Sequence, residues 1–113
     1  MDTVDPSDPA AAIKHVRELA STGSLRITQH AQQEMVHDAV SLDDVLAVIA
    51  NGNVLENYPT HKRGACCLVH GCTNVGRDLH VVCTSSNPML IIITVYEPKP
   101  PVWPTATTRR SKP

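Results

Sequence analysis

A chain of 113 residues with net charge −1 and no phenylalanine has room for one domain, with a core of Ile, Leu, Val, Ala and Met. No apolar run reaches the roughly 18 residues of a membrane span, and the acidic start Met1-Asp2-Thr3-Val4-Asp5 is unlike a secretory leader. A cytoplasmic protein without membrane association is therefore expected.

Asp8-Pro9 is a helix opening, an N-cap acid followed by proline at the first helical position. Ile13, Val16, Leu19 and Ala20 follow at helical spacing, and Gly23 supplies the stop. Ser24 to Thr28 alternates as a short strand. Thr28 then caps a second helix with Ala31, Met35 and Ala39 on one side. Ser41-Leu42-Asp43-Asp44 resembles a capping box and starts a third helix, striped by Leu42, Val45, Leu46 and Ile49 and ended by Asn51-Gly52.

After Gly52 the period changes. Residues 54–58, 65–70, 79–84 and 90–96 read as four strands, with separators short enough for antiparallel neighbours. Pro98, Pro100, Pro101 and Pro104 then forbid regular structure, leaving Trp103 to dock a polar, basic tail. The pattern predicts a mobile N-terminus over 1–8, a single α+β domain over 9–98, and a Pro-rich basic tail over 99–113. The order α-β-α-α-β-β-β-β implies three helices packed on one face of a small antiparallel sheet.

Polar groups interrupt the last two strands. His80, Thr94 and Tyr96 lie in runs otherwise apolar, where they gain nothing unless they are satisfied or used. Thr94 and Tyr96 share a face. With Ser85 to Met89 as the loop, His80 falls opposite Thr94; a loop one residue shorter turns it to the other face.

The four cysteines read as reduced thiols rather than disulfides. Cys67 to Cys72, with His70, Cys66 and His61 nearby, superficially suggests zinc. However, Cys66 and Cys67 point to opposite faces of a strand and there is no second Cys-x-x-Cys pair, so no metal and no cofactor are expected. Charge is unevenly spread: acids outnumber bases nine to three through Glu56, and bases outnumber acids seven to two beyond it. That distribution suits a protein offering a cationic sheet to an anion such as RNA.

Several motifs together cover about residues 12 to 110. They are Ile27-Thr28-Gln29-His30-Ala31, Ser41 to Val45, Asn51 to Pro59, Cys67 to Gly71, Gly76 to Val82 and Ile92 to Pro98, with Trp103 and Arg109-Arg110 behind. In these the chain resembles a family of small bacterial domains of unknown function, similar in turn to the RelE, MqsR and BrnT toxins. The resemblance implies helices on one face of a small sheet, metal-free mRNA cleavage on the other, and a cognate antitoxin as partner. Where the family usually carries an arginine, this chain has His37.

Metal-free RNA cleavage uses the neighbouring 2′-hydroxyl as nucleophile. It needs a base, an acid, and cations for the charge on phosphorus. His80 and His30 are the candidates for proton transfer, with Tyr96 and Thr94 beside them; Arg63, Arg77 and Lys62 are the candidates for phosphate. The expected function is a toxin-like endoribonuclease. The alternative is a non-catalytic α+β module that uses the same sheet to bind a protein partner or RNA.

Overall fold

The computed structural model describes residues 5, 7–62 and 64–110. Eight elements follow in the expected order: α1 (Pro9–Ser21), β1 (Leu25–Ile27), α2 (Gln29–His37), α3 (Leu42–Asn51), β2 (Asn53–Tyr58), β3 (Cys66–Cys72), β4 (Asp78–Thr84) and β5 (Leu90–Tyr96). Local signals explain the helix starts. The Asp8 side chain accepts from the Ala10 amide and that of Thr28 from the Ala31 amide, while Ser41 and Asp44 form a reciprocal capping box. None of the helices among the described residues is long and apolar enough to cross a membrane.

The five strands form one sheet in the order β1-β5-β4-β3-β2. Strands β2 to β5 pair antiparallel, but β1 runs parallel to β5, so the sheet is mixed rather than antiparallel as the sequence suggested. The physical reason is the connection. Everything from α2 to β4 lies between these two strands in the chain, a crossover long enough for a parallel pair.

All three helices cover one face. Val16 of α1, Ala31 and Met35 of α2, and Val45, Val48 and Ile49 of α3 pack on strand residues that include Leu79, Val81, Cys83, Ile92 and Val95. The end of α3 sits directly against β3. A Cβ at Gly52 would lie 2.4 Å from the Val48 carbonyl oxygen and 2.5 Å from that of His70. Glycine is required there by the close approach of two backbones.

Two bulges set which residues face away from the helices. The first interrupts β2 between Val54 and Glu56, so that Val54 opposes Val69 while Glu56 opposes Leu68. The second lies between Val82 and Cys83 and places His80 opposite Tyr96 and Val82 opposite Thr94. The simple hairpin count, which put His80 opposite Thr94, is off by two residues, one at the hairpin, where Cys83 opposes Ile92 instead of Ile91, and one at the bulge. An even offset preserves the face, so His80, Thr94 and Tyr96 still lie together on the helix-free side.

Candidate functional site

The helix-free face is not bare. After Tyr96 the chain turns back across it, and Trp103 settles on His80 with ring centroids 4.3 Å apart in an edge-on arrangement. Trp103 is 3% exposed and His80 is fully buried. His80 Nε2 lies 2.6 Å from the Ala106 carbonyl oxygen and its Nδ1 lies 3.0 Å from the Tyr96 hydroxyl. A carbonyl can only accept, so Nε2 carries the hydrogen and Nδ1 accepts the phenolic proton of Tyr96. Burial lowers the His80 pKa, with the Ala106 carbonyl opposing, which agrees with a neutral ring. Burial likewise raises the Tyr96 phenol, with Trp103 opposing.

A second group borders the first. Arg109 grips Glu56 through two bonds, Nε to Oε2 at 2.8 Å and Nη2 to Oε1 at 2.7 Å. Its guanidinium also lies 4.7 Å from the centroid of the Trp103 ring. Tyr58 donates its hydroxyl proton to Glu56 Oε1. The arginine holds the Glu56 carboxyl below its ordinary range, against burial. Burial and then the Glu56 bond push the Tyr58 phenol up to about 12. His70, the cross-strand neighbour of His80, donates from Nε2 to Asp78 Oδ1 at 2.8 Å.

The sequence-derived candidates separate accordingly. His80 and Tyr96 meet, and Thr94 stands two cross-strand pairs away, opposite Val82. His30 does not join them. It lies on α2, its side chain is 66% exposed, and it pairs with Glu34 at 3.2 Å. Arg77 is engaged in the fold rather than held out for phosphate. It bonds Glu97 at 2.9 Å and the carbonyl of Ala39 at 3.0 Å, and also donates to the Asp38 carbonyl. These bonds secure the end of α2, where Ala39 adopts a left-handed φ of 53° that favours glycine. Lys62 is exposed in the turn after β2, and Arg63 lies outside the described residues.

Sequence reasoning missed Glu56 and did not place Arg109 among the phosphate candidates. Simple alternation places Glu56 on the Val54 side, and only the bulge turns it over. Cys66, Cys67 and Cys83 are buried and in no disulfide, as expected, whereas Cys72 is exposed. Cys67 and Cys83 are cross-strand neighbours in the helix-side core; their mutual hydrogen bond and burial push the Cys83 thiol well up. Among the described residues no group of three or more His, Cys, Asp or Glu is placed to hold a metal ion.

A family model described as Domain of unknown function (DUF4258) matches residues 27–97. No curated protein and no solved structure matches the chain.

Proposed function

The chain belongs to the DUF4258 family, and we propose that its helix-free sheet face is the RNA-cleaving surface of a toxin-like endoribonuclease. One observation carries this reading: proton-handling groups (Tyr96 on His80 Nδ1, Tyr58 on Glu56) and a phosphate-compatible arginine (Arg109) share that face. Metal-free cleavage of RNA needs those classes of group together.

In the proposed reaction an RNA 2′-hydroxyl gives its proton to the Tyr96 oxygen as the Tyr96 proton moves to His80 Nδ1. The 2′-oxygen attacks the adjacent phosphorus. Arg109, released from Glu56, binds the phosphoryl oxygens with its two-pronged donor set. Tyr58, whose proton is firmly held near neutral pH, gives it to the departing 5′-oxygen. The products are a 2′,3′-cyclic phosphate and a 5′-hydroxyl. His80 acts through Tyr96 and needs no contact with RNA. A cognate antitoxin would act by covering this face.

The test is cleavage of single-stranded RNA in chelator, free and on ribosomes, with cyclic phosphate ends identified. Tyr96→Phe is expected to lower the rate about 10²–10⁴-fold, the usual contribution of a positioned proton-transfer group. No cleavage in either format overturns the enzyme reading.

A second reading, a binding module that uses this face for a protein partner or RNA without cutting it, is favoured by the complete burial of His80. It predicts RNA or partner binding by a protein that leaves RNA intact.

A further inference from the structure

The segment that covers the candidate site differs from the rest of the domain in how it is attached. Glu97 is anchored: its carboxylate takes the Arg77 bond at 2.9 Å and its amide approaches Asp38 Oδ2 at 3.4 Å. Beyond it, among the described residues, backbone bonding turns inward on the segment. Trp103 donates to the Lys99 carbonyl, Thr108 to that of Thr105, and Arg110 to that of Val102. No strand of the sheet extends into 99–110. The segment is fastened to the sheet by the burial of Trp103 and a few hydrogen bonds rather than by strand pairing. Trp103 lies on His80, the Ala106 carbonyl accepts from His80, and Arg109 holds Glu56.

We propose that residues 98–110 form an autoinhibitory strap, hinged at Glu97 and latched by Arg109 on Glu56, which single-stranded RNA opens by drawing Arg109 onto phosphate. The latch sequesters what an RNA would need. While closed, it neutralises Arg109 with a carboxylate, occupies Glu56, and lays Trp103 and Ala106 over His80. A phosphate diester offers the guanidinium the same pair of oxygens that Glu56 offers, so exchange of one anion for the other costs Arg109 little. Once Arg109 leaves, Trp103 loses its stacked cation and the strap keeps its contacts with His80 and Tyr96. This regulation rests on the proposed function of the face, but it can be read without any cleavage.

The measurement is amide hydrogen exchange on the full chain. In the unmodified protein the Trp103 and Arg110 amides should exchange faster than those of Val69 and Val81, cross-strand partners on the central strands, because the strap opens while the sheet stays intact. If the four exchange together, there is no separate strap and the proposal fails. Arg109→Gln should speed exchange at Trp103 and Arg110 about tenfold, the loss of a paired and stacked cation. Unchanged exchange there overturns the latch.

Trp103 is the sole tryptophan, so its quenching by acrylamide should rise in that variant while far-UV circular dichroism stays native. An all-deoxy oligonucleotide, which lacks the attacking hydroxyl, should accelerate Arg110 exchange in the unmodified protein. Slowed or unchanged exchange at saturation overturns RNA as the opener. Failure of RNA cleavage with a strap that opens sinks only the enzyme reading; cleavage with a strap that never opens sinks only this one.

Discussion

On the helix side of the sheet, Leu79, Val81, Cys83, Ile92 and Val95 meet three helices through apolar contacts. On the other side, the alternate residues of the same strands present His80 and Tyr96, joined by Glu56 and covered by Trp103 and Arg109. One strand thus serves two purposes, because its side chains alternate between faces. The apolar side has no competing partner in water and is built to stay closed. The polar side adds to the burial of Trp103 hydrogen bonds and an ion pair that water or an anion can replace. Leu79→Ala tests the permanent side and should have the largest effect. Cavity formation in that core is expected to remove about 2–5 kcal/mol of stability, read from chemical denaturation. A loss below about 1 kcal/mol would break the contrast between the faces.

Trp103→Ala probes the opposite side and sharpens the contrast. Truncating a buried aromatic within a core costs about 3–5 kcal/mol. Here the cost is capped by the free energy that holds the strap closed, since an open strap leaves the sheet and helices folded. Denaturation of Trp103→Ala should therefore show a loss smaller than about 3 kcal/mol, with helix and strand content unchanged. A loss as large as that of Leu79→Ala, with collapse of the circular dichroism, would mean that the two faces form one cooperative core.

The helix side was also the more legible from sequence, and for the same reason. Asp8, Thr28 and Ser41 act on amides within a few residues, so capping is written locally. The face of His80 hung on the hairpin register, which alternation left open, and its partner moved from Thr94 to Tyr96 through a one-residue slip at the hairpin and a one-residue bulge that no local signal marked. A bulge also hid Glu56, while His30 drew attention as a histidine next to a cap and proved to lie on α2, paired with Glu34. Arg77 was unreadable because its backbone partners, Asp38 and Ala39, lie far from it along the chain. The direction of β1 depended on a crossover rather than on any property of Leu25 to Ile27.

The polar side should also carry a pH dependence. Burial lowers the folded-state pKa of His80 below 6.5, so near and below that pH the unfolded chain binds more protons than the folded one. Its contribution is complete above about pH 6.5 and is lost progressively as pH falls from there towards the folded value. Glu56 adds a second, more acidic loss, since its depressed pKa gives stability above 4.5 that disappears as pH falls through the folded value. Denaturation midpoints between pH 7 and pH 5 should fall in the unmodified protein and fall less steeply in His80→Gln. Equal slopes would show that the ring is not the titrating group.

The smallest expected effect belongs to Lys62, exposed in the turn after β2. Because its side chain is exposed, Lys62→Ala should alter stability by no more than about 0.5 kcal/mol. If RNA crosses the sheet face from the strap towards β2, the ammonium adds sequence-independent attraction, and removing it should reduce the salt dependence of binding. For a single strand the slope of log affinity against log salt should weaken by about 0.7. A weakened slope at unchanged stability would carry the polar face beyond Glu56 into the turn after β2. An unchanged slope would confine RNA to the part of the face beneath the strap, next to Arg109.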